Sequence, residues 1–244
     1  MKVFAIHNRK GGVGKTTIAG NTAYYCSQSK KTILIDADSQ GNSSSWYITE
    51  PVKFELADVL KGECDINDAL VKIAEGFYIL PSFTDGGLKD YAEIKLFQEP
   101  FIFRDLNDEL ERAGAELVIY DLSPGMSQLE RTILSSADEI IIPLQPEFFS
   151  YDGLDMFIDE IKKINKNFKR DIKFDKIVCN GLNKSFTRHN AIYKKFEDMN
   201  FSLFTICQDS KIPEAQILHK SIFEYCPEAR SIPELTRLSR EMAV

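Results

Sequence analysis

The stretch Arg9-Lys10-Gly11-Gly12-Val13-Gly14-Lys15-Thr16-Thr17 constrains what this chain can fold into more than any other segment. It follows a short apolar run, Val3 to Ile6, and opens a segment of helical character from Thr16 to about Gln28. Strand, glycine loop and helix in that order make a cradle for phosphate. Glycines let backbone N–H groups close around anionic oxygens with no Cβ in the way, and the helix adds the positive end of its dipole. In such a cradle Lys15 reaches the β- and γ-phosphates of a nucleotide, and the Thr16 hydroxyl ligates Mg²⁺. The loop departs from the usual G-x-x-x-x-G-K-S/T spacing: Arg9 stands where the first glycine belongs, and a second lysine, Lys10, sits beside it.

Beyond the loop, short β-branched or apolar runs alternate with longer amphipathic stretches. The runs predict strands at Val3–His7, Thr32–Ile35, Phe77–Leu80, Leu117–Tyr120, Glu139–Pro143, Lys176–Asn180 and Leu203–Ile206. The intervening stretches predict helices at 16–28, 55–61, 65–74, 101–113, 127–136, 152–167, 187–198, 213–219 and 233–242. This alternation predicts an α/β fold, a single doubly wound, mostly parallel sheet with helices on both faces. With 244 residues and no repeat, low-complexity tract or Pro/Gly-rich linker, the expectation is one domain over 1–244.

Two of these strands end in carboxylates, and ligands of doubly wound sheets bind at the carboxyl ends of strands. Ile33-Leu34-Ile35-Asp36-Ala37-Asp38 places Asp36 and Asp38 toward the phosphates, and Leu117-Val118-Ile119-Tyr120-Asp121 brings a third carboxylate, Asp121, suited to Mg²⁺.

Composition excludes other classes. Cys26, Cys64, Cys179, Cys207 and Cys226 are scattered, with no C-x-x-C pair, which argues against zinc, iron–sulfur and disulfide roles. His7, His189 and His219 show no ligand spacing and are expected to be structural or exposed. No apolar run approaches the roughly 20 residues of a membrane helix, and a reducing cytoplasm is the expected location. The net charge is −7, but it is unevenly spread. Residues 1–161 hold 14 Lys+Arg against 27 Asp+Glu, whereas residues 162–244 hold 16 against 10, which points to a basic surface on the C-terminal part.

The glycine loop resembles the deviant Walker A motif, x-K-G-G-x-x-K-S/T, of the ParA/Soj/MinD family of partitioning and positioning ATPases. Asp36-Ala37-Asp38-Ser39-Gln40-Gly41-Asn42 resembles that family's D-x-D-P-Q-G-N, with Ser39 in place of proline. Leu117–Asp121 resembles a Walker B strand, although Leu122-Ser123-Pro124-Gly125 departs from the usual C-P-P-S. The run from Ala137 to Phe149, continued by Gly153-Leu154, is similar to A-A-D-x-V-I-V-P-x-x-P-E, and Lys211-Ile212-Pro213-Glu214-Ala215 to R-L-x-E-A-P. Ile206-Cys207 replaces the isoleucine-proline pair that borders the base in relatives.

The resemblance implies an ATPase of DNA segregation that uses ATP and Mg²⁺. Lys10, Gly11, Gly12, Val13, Gly14, Lys15, Thr16 and Thr17 would bind the nucleotide, and Asn180 would read adenine. Lys10 would reach across a face-to-face homodimer formed with ATP, and Asp38 would orient the attacking water. Thr16, Asp38 and Asp121 would hold the metal, and Ala137–Phe149 would form the switch and dimer surface. The family also implies a nucleoid-associated protein that binds non-specific DNA and answers to a ParB-like centromere-binding activator. The DNA contacts would fall on Arg188 and Lys211, with Lys184, Lys194, Lys195 and Lys220 as additions on the same side. A MinD-like membrane ATPase is the alternative. It needs a terminal amphipathic helix, but Ile232–Val244 carries only Arg237 and Arg240 as cations and no aromatic, and is expected to be the last core helix. Amide ligases of similar fold generally lack the equivalent of Lys10.

Overall fold

The computed structural model describes residues 1–83 and 87–244, with 148–152 described by their backbone only. Eight strands form one sheet: β1 (Lys2–Ile6), β2 (Thr32–Ala37), β3 (Val71–Ala74), β4 (Phe77–Leu80), β5 (Leu117–Leu122), β6 (Glu139–Leu144), β7 (Lys173–Leu182) and β8 (Ser202–Cys207). Their order is β3-β4-β2-β5-β1-β6-β7-β8, and every pair is parallel except the β3–β4 hairpin. All seven expected strands are present, and the fold is the doubly wound one that the alternation predicts.

Helices cover both faces, and strand alternation sorts the core into two layers. On one side, Val3, Ala5, Ile33, Ile35, Val118, Tyr120, Ile140 and Ile142 pack under six helices. These are α3 (Leu56–Lys61), α4 (Ile66–Ala69), α5 (Leu88–Lys95), α6 (Ile102–Arg112), α7 (Gln128–Ser136) and α8 (Phe148–Phe168), followed at the β7 end by α9 (Thr187–Glu197). On the other side, Phe4, Ile6, Leu34, Ile119, Ile141, Val178 and Phe204 pack under α1 (Lys15–Ser27), α2 (Asn42–Tyr47), α10 (Lys211–Ile217), α11 (Ile222–Tyr225) and α12 (Ile232–Met242). Leu235, Leu238 and Met242 of α12 are fully buried in this second layer, so the last helix is a core helix, as expected.

One expectation needs correction. The segment 65–74 is not a single helix. Ile66, Ala69, Leu70, Ile73 and Ala74 recur at helical spacing, but the chain leaves the helix at Leu70 (ψ 120°) and continues as β3. As an edge strand β3 gains antiparallel backbone hydrogen bonds to β4, while Ile73 and Ala74 pack against the second layer. Gly76, at φ +73°, makes the turn, and a Cβ there would lie 2.4 Å from the Ser27 carbonyl.

Helix α2, unanticipated from sequence, stacks Trp46 on Tyr47 (centroids 4.6 Å apart) against α1. The contact is possible because residue 20 of α1 has no side chain: a Cβ on Gly20 would meet the Trp46 ring at 2.6 Å. The helix gives up some intrinsic propensity at this glycine and gains a close helix–helix approach. Gly20→Ala is expected to lower unfolding free energy by about 1–3 kcal/mol through overpacking, despite alanine's better helix propensity. Urea denaturation followed by fluorescence of Trp46, the single tryptophan, measures it; an unchanged or raised stability would refute the packing account.

Candidate functional site

Strand β5 lies between β1 and β2, which brings the ends of three strands together. The loop after β1 carries Arg9–Gly14 into α1. Gly14 takes φ +96° at the N-cap of α1, and Gly12 takes φ +73°. A side chain at Gly14 is excluded twice over, by that conformation and by Asn180, whose Nδ2 would lie 2.0 Å from a Cβ. Asn180 Nδ2 donates to the Val13 carbonyl (2.9 Å), so the residue expected to read adenine is docked on the glycine loop.

The segment after β6 clasps the same loop. Asn8 Nδ2 donates to the Pro143 carbonyl (2.7 Å), and Gln145 Nε2 donates to the Gly12 carbonyl (3.0 Å). Lys10 Nζ forms an ion pair with Glu147, and Lys10 holds that carboxyl below the usual range. The two lysines thus differ sharply. Lys15 is buried, and its Nζ lies 3.3 Å from both the Asn8 and the Lys10 carbonyls, inside the loop. Lys10 stands on the rim, its side chain 37% exposed. Burial pulls the Lys15 ammonium below its ordinary pKa, and the charges of Asp121, Asp38 and Glu130 act in the opposite direction. The Phe148 and Phe149 side chains of the expected switch segment lie outside the described residues.

Asp36 and Asp121 are direct register partners on β2 and β5. Asp36 is fully buried and accepts from the Ser44 N–H and hydroxyl, both at 2.7 Å. It therefore anchors α2 rather than facing the loop, as the sequence reading had it. Asp38 keeps 7% exposure and accepts from the Gln40 N–H (3.0 Å). Asp121 Oδ2 accepts from the Ser43 hydroxyl (2.7 Å), and the nearby Thr16 hydroxyl also favours its ionised form. Its Oδ1, although buried, has no protein partner among the described residues. A buried acceptor without a donor is costly, so this oxygen is suited to a ligand cation.

Thr16, Asp38 and Asp121 thus fit Mg²⁺. Among the described residues no cluster of three or more His, Cys, Asp or Glu side chains forms a metal cage. Mg²⁺ takes one or two carboxylates and fills its octahedron with water and substrate phosphate. Ser43 and Ser44, missed from sequence, orient both buried carboxylates. Their one signal was their place in the first turn of a helix directly after Gly41-Asn42.

The loop following β5 is tied to α7. Ser127 and Glu130 form a reciprocal capping box, and the Ser123 hydroxyl donates to Glu130. Burial opposes ionisation of Glu130, but these hydrogen bonds hold its pKa below the ordinary value. His7 is buried against Phe157 with neither ring nitrogen bonded among the described residues, and burial lowers its pKa to about 4. Of the expected DNA-contacting cations, Lys184 and Arg188 are exposed after β7, where Arg188 lies 5.5 Å over the Phe186 ring, whereas Lys220, also exposed, sits beside α2, its carbonyl accepting from Trp46 Nε1 (3.0 Å). Lys211 is engaged by Glu214 at 2.8 Å.

The carboxylate pair gives a pH signature. Burial, then repulsion by Asp121, pushes Asp36 from 3.8 up to about 8. The folded state thus holds this proton more tightly than the unfolded state. The associated stability is present at low pH and lost as pH rises from about 4 to about 8. Asp36→Asn removes that loss. Its unfolding free energy relative to the native protein is expected to increase steadily between pH 5 and pH 8 in metal-free urea titrations. A difference independent of pH, or one that falls, would contradict a raised Asp36.

Residues 1–174 match the AAA domain family. The protein BBD21 of Borreliella burgdorferi is 42% identical over 240 residues, covering 98% of each chain. The sporulation initiation inhibitor protein Soj of Bacillus subtilis is 28% identical over 257 residues, covering 99% of this chain and 98% of Soj. A variant of Cyanothece McdA, solved as its ATP complex, superimposes with a TM-score of 0.84 at 19% identity, over 99% of this chain and 96% of McdA. With its two-lysine phosphate loop and this doubly wound sheet, the chain belongs to the AAA domain family, within the ParA/MinD superfamily of partition ATPases.

Proposed function

We propose that this protein is an ATP-driven segregation ATPase that pairs face to face when ATP and Mg²⁺ are bound, holds non-specific DNA as a dimer, and lets go after hydrolysis stimulated by a ParB-like partner. The carrying observation is the division of labour between its two lysines. Lys15 sits inside the loop among carboxylates, placed for the β- and γ-phosphates of its own subunit. Lys10 stands outside, exposed, paired among the described residues with the exposed Glu147 carboxylate, and would reach a second subunit. Thr16 and Asp121 would hold Mg²⁺, which neutralises phosphate charge when bound. Asp38, next to them and slightly open, is placed to orient water at the γ-phosphate. Membership of the AAA domain family supports the nucleotide chemistry, and the chromosome partitioning protein ParA of Caulobacter vibrioides, 28% identical over 99% of this chain, supports the segregation context.

Catalysis of this kind is mostly positioning and electrostatics, so each residue has a separable signature. Asp38→Ala is expected to bind ATP and dimerise while its turnover falls roughly 10²-fold or more. Lys10→Ala is expected to bind ATP yet remain monomeric by light scattering. Wild-type turnover in the first, or normal ATP-dependent dimers in the second, would overturn these roles.

DNA would bind through the basic C-terminal part, and dimerisation would double its charge. The buried apolar face of α12 leaves no membrane-binding stripe there, which favours DNA over a lipid surface. Because Lys211 is engaged by Glu214, Lys184 and Arg188 should contribute more than Lys211. In DNA titrations with ATP at several salt concentrations, Lys184→Ala and Arg188→Ala should each reduce the log–log salt slope by about 0.9. An unchanged slope in the double variant would remove this surface from the proposal.

A further inference from the structure

Helix α2 is held at both ends by hydrogen bonds to other parts of the fold. In its first turn the Ser43 hydroxyl donates to Asp121 Oδ2 (2.7 Å), and Ser44 donates to Asp36 through its N–H and its hydroxyl. The Ser44 hydroxyl oxygen also accepts from the Ser82 N–H (3.0 Å), just beyond β4. In its last turn Trp46 is clamped to the corner between α10 and α11. The indole Nε1 donates to the Lys220 carbonyl (3.0 Å), and the Trp46 carbonyl accepts from His219 Nδ1 (2.8 Å). Backbone bonds from Ser45 to Gly41 (2.8 Å) and from Ile48 to Ser44 (2.9 Å) span the helix from end to end. At about 1.5 Å per residue, six residues make one short rigid body, so its two ends move together.

Both things that α2 holds are unfinished or strained. Ser43 occupies one oxygen of Asp121 and so decides how the other, the buried Oδ1 with no partner among the described residues, is presented. At the far end, His219 takes φ +56°, in the left-handed region that is costly for a residue with a side chain. Such a conformation persists only where its surroundings over-determine it. Here the surroundings are the two bonds to Trp46, the Lys220 N–H on the Ala215 carbonyl (3.0 Å) and the Ile222 N–H on Asn21 Oδ1 of α1 (2.8 Å). The corner leaves Ile217 76% exposed, next to the exposed Leu218. Release of Trp46 would remove the tie that most directly holds His219 in place.

We infer that α2 couples the metal carboxylate to the His219 corner: the clamped form, in which Ser43 fixes Asp121, takes Mg²⁺ with a nucleotide more tightly than the released form, and the bound cation holds the corner shut. Trp46 and His219 are then positioning residues for Asp121, acting through Ser43 from the other end of the helix. The coupling is reciprocal, so whatever deforms the corner weakens the metal by the factor with which the metal steadies the corner. The inference rests on the Mg-nucleotide reading of the glycine loop.

Two measurements on the full chain test it, both with ADP so that ATP-driven pairing does not intervene. In the first, amide hydrogen exchange of the corner (residues 218–220) is followed by mass spectrometry in saturating ADP with Mg²⁺ and in saturating ADP with EDTA, with α12 as the reference segment. Exchange of the corner is expected to slow about fivefold or more with Mg²⁺, while α12 is unchanged. In the second, ADP affinity is titrated with and without Mg²⁺ in the native protein, in Trp46→Phe, which keeps an aromatic ring but loses the Nε1 donor, and in His219→Gly, which accepts the left-handed backbone but loses the Nδ1 donor. The gain in affinity that Mg²⁺ confers should shrink by the same factor in both variants, with the affinity in EDTA unchanged. The inference is overturned if Mg²⁺ leaves exchange of the corner unaltered, if both variants keep the full Mg²⁺ gain, or if their affinities fall equally with and without Mg²⁺, which is the mark of a merely structural role. Failure of the native protein to bind ADP under either condition would strike the nucleotide reading itself, and this inference with it.

Discussion

The position of β5 is the constraint on which the rest of this structure depends. Because β5 is bonded in parallel to β1 on one side and to β2 on the other, three chain segments that are far apart in sequence finish at one edge. The glycine loop leaves β1, Asp36 and Asp38 leave β2, and Asp121 leaves β5. The same register sets Asp36 beside Asp121 within the dry interior, where like charges repel strongly. Ser43 and Ser44 at the start of α2 are the answer to that repulsion, one hydroxyl on each carboxylate.

A second physical link joins the loop to the segment after β6. Asn8 reaches Pro143, Gln145 reaches Gly12 and Lys10 reaches Glu147, so a displacement of the rim must pull on this segment or break these contacts. The Lys10–Glu147 pair is exposed, and exposed pairs are worth little in water. It is an arrangement that a stronger anion can replace, whereas Lys15, enclosed by carbonyls and carboxylates, has no comparable freedom.

Much of this was legible in the sequence because strands buried on both faces read as continuous apolar runs. Ile33–Ile35, Leu117–Ile119 and Ile140–Ile142 announce the parallel core, and their terminal aspartates announce the site. The glycine loop was legible because its backbone shape admits little but glycine at Gly12 and Gly14. What escaped was decided by tertiary context. Edge strand β3 has a helical pattern and becomes a strand only because β4 supplies its backbone partners. Helix α2 has six residues, too few for periodicity to show. The tie between Asn180 and Val13 spans 167 positions, and the commitment of Lys211 to Glu214 depends on rotamers that spacing alone does not fix. Nor does a strand-end pattern reveal that Asp36 turns to α2 while Asp38 stays at the opening.

The account stands on Lys15 being the cation that holds a nucleotide's phosphates. Isothermal titration of Mg-ATP into the native protein and into Lys15→Ala tests this most directly. Saturable binding to the native chain and its loss in Lys15→Ala, with both proteins equally folded, is the predicted result. Equal affinity in the two, or no binding of ATP to the native protein, would contradict it.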